Sequence, residues 1–427
     1  MMAVMLENLW IGGAIIVIAI TAYVLVGIVS AMARLTNERR AREQQAEQFA
    51  VKINGARKQQ QKETEKSLSW TGTRKFTVTK KQVESPDAQV CSFYLEPHDE
   101  KPIPSFEPGQ FLTFELDIPG DGTDSKVKRC YSLSDAPRDG VYRVSIKRVP
   151  GPRDQPEIPA GLSSNFFHDS VHKGDILDVR APSGKFFLDM NSDRPIVLIG
   201  GGVGLTPVMS MLNAVTASGG DREVWFFYGV RNGAEHAMKE HLEKVAAEHS
   251  NVRMKICYSA PSDTDVEGED YHHKSRVGVP LFKEVLPSNN YQYLMCGPPP
   301  MMESLVSDLE EWGVPKQDIL RESFGPASGR KAPAIKANPE ADGPVVSFKK
   351  SGKSAPWDPA FDSLVKFAEA NGCDIPYACL AGNCGTCETT IISGEVDYQG
   401  NDTDFEPEKG TCLACSCVPK GPIELDA

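Results

Sequence analysis

Residues 373–387 read CDIPYACLAGNCGTC, and the rest of the chain is read outward from this stretch. Cys379, Cys384 and Cys387 stand in it at the spacing C-x4-C-x2-C, and the run GTCLACSCVP at 410–419 supplies further thiols. Three thiolates on one tight loop and a distant fourth suit two irons bridged by two sulfides, a [2Fe–2S] cluster. The small residues Ala381, Gly382, Asn383, Gly385 and Thr386 let the backbone wrap such a cluster and turn N–H groups towards its sulfurs. A zinc site built from C-x2-C knuckles is the alternative. The residues alone leave the fourth ligand open among Cys412, Cys415 and Cys417. Strand alternation puts Cys415 and Cys417 on one face and does not separate them.

The length of 427 residues corresponds to about three domains. With 24% charged and 40% hydrophobic residues the composition is that of a globular protein. A net charge of −12 argues against nucleic acid as a partner. Eleven cysteines in a chain this long, grouped like metal ligands, indicate a reducing compartment rather than a disulfide framework. Charge is unevenly spread: residues 34–70 hold nine Lys or Arg against five Glu, net +4, and residues 344–427 hold thirteen acids against six lysines, net −7.

Residues 9–33 carry no charged side chain, and these 25 positions are enough to cross a hydrocarbon core of about 30 Å. Trp10 and Tyr23 are amphipathic aromatics of the kind that favours interfaces. No Lys or Arg precedes Leu9, and the apolar run is longer than that of a cleaved signal peptide. Arg34, Arg39, Arg40 and Arg42 follow directly. The expectation is a single-pass transmembrane helix at 1–33 in the inner (cytoplasmic) membrane, with the N-terminus outside and everything after it in the cytoplasm. Residues 34–70 read as a charged helical stalk, or alternatively as a helix lying on the membrane surface.

From 71 to 191, short β-like runs separated by Pro, Gly and Asp turns predict a small antiparallel β-barrel. From 192 to 326, buried-looking strands alternate with helical periodicity, which predicts an α/β domain with a parallel sheet. Residues 327–343 read as a linker, and 344–427 as the iron–sulfur domain. In the barrel, Arg129 and Tyr131 of RCYS alternate onto one face of a strand and Ser132 onto the other. Lys147 joins them as a cofactor-binding candidate. GLSSNFF, with Gly161, Ser163 and Ser164, opens a helix for which Ser163 or Ser164 is the expected N-cap. Such an N-terminus suits a phosphate. GGGVGLTP departs from G-x-G-x-x-G, yet Gly201, Gly202, Val203, Gly204, Thr206 and Pro207 still offer a diphosphate the backbone of a helix start. Cys296, Gly297 and Pro298 follow a strand at the end where open α/β sheets bind ligands. Glu322 and Phe324 stand two apart in ESFG. Arg231 ends the strand reached through Tyr228.

In this order (RxYS, GxxS, GGxGxTP, CGP, E-x-aromatic) the chain resembles the ferredoxin–NADP reductase superfamily over about residues 72–326. Residues 344–427 resemble plant-type ferredoxin domains, whose fold is the β-grasp. The combination is similar to reductase components of bacterial oxygenases and to hybrid-cluster-protein reductases. KRCYSLSDAP, GLSSNFFHD and RESFGP are also similar to the reductase part of flavohaemoglobins. The resemblance implies FAD, with FMN as the alternative, and a C-x-x-x-P ending that makes Cys415 the fourth cluster ligand. It implies that Arg129 binds flavin phosphate, Tyr131 packs on the isoalloxazine and Ser132 lies near flavin N5. Cys296 would approach the nicotinamide, and Glu322 and Phe324 would abut the flavin, so that Ser132, Cys296, Glu322 and Phe324 form the catalytic set. The membrane anchor lies outside the common family pattern. Arg231 stands nearly alone as a cation and Glu235 would repel a 2′-phosphate, so NADH is expected over NADPH. The expected function is electron transfer from NADH through FAD to the [2Fe–2S] cluster and on to a membrane-associated oxygenase, hydroxylase or desaturase. A quinone, a hybrid-cluster protein or a slow redox-sensing role are the alternatives. Asp402, Asp404, Glu406 and Glu408 suggest an acceptor with a basic docking face.

Overall fold

The computed structural model describes residues 20, 21, 23–25, 27, 32, 68–70, 72–118, 127–151, 160–324, 341–375, 377, 380, 382, 385–399, 403 and 407–427. The chain divides into two compact units, 1–68 and 69–427. In the first, the described residues between 20 and 32 are helical, and Ile20, Tyr23, Val24, Leu25 and Met32 are exposed. Among the described residues no helix is long and apolar enough to cross a membrane. The anchor expected at 1–33 and the stalk at 34–70 fall almost wholly outside the described residues, as does most of the linker at 327–343.

The second unit begins with an antiparallel sheet: β1 (Arg74–Val83), β2 (Val90–Pro97), β3 (Phe111–Leu116), β4 (Val127–Ser132), β5 (Tyr142–Lys147) and β6 (Ile176–Val179), in the order β4-β3-β6-β1-β2-β5. Its two edges meet through a bridge between Leu133 and Val144. Alternation drives the burial: Phe76 and Val78 of β1 face inward between exposed or half-buried neighbours. Helix α1 (Leu162–Asp169) inserts Phe167 among Phe93, Phe114 and Tyr131, with ring centroids 5.1–5.2 Å apart.

A parallel sheet follows, built from β7 (Ile196–Gly201), β8 (Val224–Val230), β9 (Val252–Tyr258), β10 (Gln292–Gly297) and β11 (Ile319–Ser323), in the order β11-β10-β7-β8-β9. Helices α2 (Leu205–Ser218) and α3 (Lys239–Glu248) pack on one face with Leu198, Phe226 and Ile256. Helices α4 (Val279–Val285) and α5 (Pro299–Glu311) pack on the other with Val197, Phe227 and Met295. The strands are apolar along their length because both faces are covered. The chain runs outward from β7 through β8 to β9, then returns to β10 on the far side of β7. The carboxyl ends of β7 and β10 therefore form the topological switch point, where open sheets of this kind bind ligands.

The last domain comprises β12 (Val345–Phe348), β13 (Lys353–Pro356), α6 (Leu364–Ala370), β14 (Glu388–Ser393), β15 (Val396–Asp397), β16 (Thr411–Leu413), β17 (Val418–Pro419) and β18 (Ile423–Leu425). A five-stranded sheet runs β13-β12-β18-β14-β16, and β15 pairs β17. Ser363 caps α6 by accepting from Lys366 N at 3.5 Å, and Phe367 of that helix stacks into a core with Phe348, Trp357 and Phe361.

Candidate functional site

Three segments distant in sequence converge at the switch point. Cys296 ends β10 and stands in register between Gly200 of β7 and Glu322 of β11. Ser132, the last residue of β4, donates from Oγ to Glu322 Oε2 at 3.4 Å. Cys296 is fully buried and Glu322 is 5% exposed. Burial pushes the Cys296 thiol well up, and the Glu322 carboxylate adds to the shift, so the sulfur is held as a neutral thiol. Phe324, two residues beyond Glu322, is 38% exposed. The barrel and the parallel sheet thus share one polar junction.

The glycine loop begins where β7 ends. Gly202 has φ +55, and nothing stands within 4 Å of the position a side chain would take, which leaves an open cradle. Gly204 is the reverse case, since a Cβ there would run into the Cys296 carbonyl. Thr206 Oγ1 donates back to Val203 O at 3.1 Å, and Pro207 lies in the first turn of α2. Gly201 faces Met301 and Pro298, and Pro298 is the N-cap of α5 directly after Gly297. These features fit a diphosphate at the start of α2.

At α1 the expected serine cap is corrected: Gly161 is the N-cap and makes no side-chain capping bond. Ser164 Oγ instead donates to Gly161 O at 3.0 Å and accepts from Val149 N at 3.2 Å, tying the helix start to the end of the barrel. Ser163 Oγ is buried without a hydrogen-bond partner. An orphaned hydroxyl at a helix start fits a cofactor phosphate. Arg129 donates from Nη1 to Lys128 O at 2.7 Å, and Tyr131 packs edge-on to Phe114 at 5.8 Å. Lys147 is tied to the α/β domain, with Nζ 3.1 Å from Glu235 Oε2. Arg231 is exposed at the end of β8. Two residues beyond Arg231, Gly233 N donates to Asp265 at 3.3 Å, and Ser262 N donates to the same carboxylate at 2.6 Å.

In the last domain, Cys379 and Cys384 lie outside the described residues. Cys387 and Cys415 are buried and face each other with sulfurs 3.0 Å apart. Such a pair of thiols fits two ligands of one iron. Leu380, Gly382 and Gly385 all have positive φ, at 52, 73 and 70, the conformation that turns successive N–H groups into a concavity. Cys415 does not share a strand with Cys417, as the alternation argument assumed. It lies in the turn between β16 and β17, and Cys417 directly precedes β17.

Comparison with known proteins accords with this arrangement. Residues 75–188 match the oxidoreductase FAD-binding domain, 198–307 the oxidoreductase NAD-binding domain and 349–420 the 2Fe-2S iron-sulfur cluster binding domain. The flavohemoprotein of Halalkalibacterium halodurans is 40% identical over 258 residues, 60% of this chain and 61% of that protein. The chain therefore spans less than two thirds of that curated relative. The flavohem-like FAD/NAD binding domain of nitric oxide dioxygenase from Vibrio cholerae is 32% identical, with a TM-score of 0.52 over 60% of this chain and 100% of that one. Phthalate dioxygenase reductase shares the fold over 83% of this chain and 98% of its own, at 24% identity and a TM-score of 0.51. The fold and site define an oxidoreductase. It is of the reductase type, with an FAD-binding, a NAD-binding and a [2Fe–2S]-binding domain following one another in one chain.

Two features escaped the sequence reading. Strand β11, which brings Glu322 to Cys296, is five residues with no alternating pattern to betray it. The basic residues Lys128, Arg180 and Lys185 contact the last domain across 194 to 241 residues of chain, a separation no local signal bridges.

Proposed function

We propose that the protein is a membrane-anchored NADH-dependent reductase that passes electrons through FAD and a [2Fe–2S] cluster to a membrane-associated acceptor of the oxygenase, hydroxylase or desaturase type. The observation that carries this reading is the meeting of Ser132, Glu322 and Cys296 at the switch point, in a chain whose last domain sets Cys387 against Cys415. When bound, the flavin supplies the conversion between the electron pair of a nicotinamide and the single electrons that an iron–sulfur cluster accepts. The residues supply position. Arg129 and Ser163 hold flavin phosphate, Tyr131 covers the ring, and Ser132 keeps a hydroxyl oxygen at its edge, oriented by the bond it donates to Glu322. The glycine loop holds the dinucleotide, and the neutral Cys296 thiol packs against the nicotinamide without charge. Cys379, Cys384, Cys387 and Cys415 hold the cluster.

Anchoring is supported by the uncharged run at 9–33, by the arginines after it and by the exposed apolar residues of the helix around Tyr23. The arginines favour an N-terminus outside and catalytic domains in the cytoplasm. The oxygenase class of acceptor is favoured by the likeness to phthalate dioxygenase reductase, described as a modular structure for electron transfer from pyridine nucleotides to [2Fe–2S]. The test is anaerobic addition of NADH to the full chain. The flavin absorbance is expected to bleach, followed by the electron paramagnetic resonance signal of a reduced [2Fe–2S] cluster. A bleached flavin with a cluster that stays oxidised would sink the relay.

A further inference from the structure

The last domain meets the flavin barrel through contacts segregated by sign. Among the described residues, the three ion pairs that join the two domains each set a cation of the barrel against an anion of the cluster domain. Lys128 Nζ is 2.6 Å from Glu369 Oε1 and sits 4.9 Å from the centroid of the Tyr377 ring, whose hydroxyl reaches Glu369 at 3.2 Å. Arg180 Nη1 is 3.2 Å from Asp374 Oδ2, while its Nη2 is held by Glu115 of β3 at 2.6 Å. Lys185 pairs with Glu388, whose other oxygen accepts from Glu408 N and Thr411 Oγ1, each at 2.6 Å.

The placement of these groups matters more than their number. Glu369, Asp374 and Tyr377 precede Cys379, the first expected ligand, and Glu388 directly follows Cys387, the third. On the other side, Lys128 is the residue before Arg129 on β4, the strand that carries Tyr131 and Ser132. The contacts thus bring residues that flank the cluster ligands in sequence to the flavin barrel, one of them to the strand that carries Tyr131 and Ser132. Among the described residues the two domains keep separate hydrophobic cores. Between the Ser183–Gly184–Lys185 turn and Gly385, Thr386 and Thr411 lies a cavity of about 380 Å³. A junction of ion pairs around a polar cavity, with no shared apolar core, is a separable contact whose strength depends on ionic strength.

We infer that Lys128, Arg180 and Lys185 are positioning residues that dock the cluster domain on the flavin barrel for internal electron transfer, and that this docking is released as salt rises. The inference rests on the proposed relay, in which the reduced flavin loses one electron and the oxidised cluster gains it. None of the three cations belongs to the flavin, nicotinamide or cluster sites.

Two measurements on the full chain test it. The first is independent of turnover: zero-length carbodiimide coupling, read by mass spectrometry of the digest. Lys128–Glu369 and Lys185–Glu388 links are expected at about 0.01 M salt and are expected to vanish towards about 1 M, as the screening length falls from about 30 Å to about 3 Å. In Lys128→Glu the Lys185–Glu388 link should weaken. In Lys128→Glu with Glu369→Lys it should return. The second is rapid mixing with NADH, following flavin and cluster separately. Lys128→Glu is expected to leave flavin reduction unchanged and to slow cluster reduction about tenfold at low salt, as expected when a charge contact is reversed. The paired reversal should recover most of that rate. Absence of both links at low salt would overturn the docking. Links present with cluster reduction indifferent to Lys128→Glu and to salt would overturn the positioning role. Failure of NADH to bleach the flavin would instead strike the proposed function, and the coupling result would still decide the docking.

Discussion

At the scale of single residues, the deciding question is which sulfur can reach an iron shared with Cys387. The Cys415 sulfur lies 3.0 Å from that of Cys387. Cys415→Ser is therefore expected to abolish the cluster's visible absorbance and its resonance signal, and Cys412→Ser and Cys417→Ser to keep both. Retention in Cys415→Ser with loss in Cys417→Ser would move the ligand. The sequence left three cysteines because strand alternation was assumed where the chain in fact turns; only the spacing to Pro419 separated them. A second residue was invisible to any motif. His236 is 2% exposed, with Nδ1 2.8 Å from the Tyr258 hydroxyl and Nε2 unpartnered. Burial lowers its pKa from 6.5 to about 4, the charge of Lys239 adding to the shift. The folded state thus binds fewer protons than the unfolded state between these values. The contribution is complete above the unfolded value and is lost as pH falls towards 4, about 2 kcal/mol of it between about pH 7.5 and pH 5. His236→Asn, which keeps a polar atom beside Tyr258, should flatten that part of the thermal-stability profile. An unchanged slope would show that other groups set it.

At the scale of elements, the strands with clear alternation or continuous apolar character were legible: RKFTVTKKQV is β1 from end to end. What escaped were elements specified by partners rather than by pattern. The short strand β11 exists because β10 pairs along it, and α4 is a seven-residue helix covering one face of the sheet. The α1 start was misplaced by two or three residues because Ser163 or Ser164 was taken as the cap, whereas Gly161 is the cap and Ser164 bonds backward to Gly161 and Val149. The glycine loop separates two kinds of requirement. Gly204→Ala would drive a methyl into the Cys296 carbonyl and should cost about 3 kcal/mol of stability as well as nicotinamide affinity. Gly202→Ala meets no atom and should cost only about 1 kcal/mol through its positive φ. Equal losses would mean that the close approach to Cys296 is not what restricts the loop. After β8, Glu235 is fixed by Lys147, and Asp265 is fixed by two backbone N–H groups. With those carboxylates in the segments that follow β8 and Arg231 the one basic residue directly after that strand, kcat/KM is expected to favour NADH over NADPH at least about tenfold, or about 1.4 kcal/mol. Equal use of NADPH would overturn that preference.

At the scale of the whole molecule, charge and covalent linkage work towards the same end. Residues 34–70 carry net +4 and residues 344–427 net −7. Some of those acids are already committed: Glu369, Asp374 and Glu388 face the barrel. An acceptor would therefore have to displace the barrel or read other acids. Glu408 is available for this, because its contacts run through its backbone, the N–H donating to Glu388 and the carbonyl accepting from Thr411, and its side chain is exposed, whereas Asp402, Asp404 and Glu406 lie outside the described residues. A basic acceptor surface would be steered to such acids with an on-rate that falls as salt rises. On the proposed anchoring, holding donor and acceptor in one membrane would raise their mutual concentration towards the millimolar range typical of short flexible linkages. Removing residues 1–70 leaves the flavin, nicotinamide and cluster residues intact, so NADH-dependent ferricyanide reduction should be unchanged. Transfer to the native acceptor in membranes should slow about tenfold or more when the truncated chain is supplied at micromolar concentration, since the linkage advantage is of that order or larger. A truncated chain that drives the acceptor as fast as the full chain at matched low concentration would remove the anchoring argument. Transfer indifferent to salt would remove the acidic-surface argument and leave anchoring untouched.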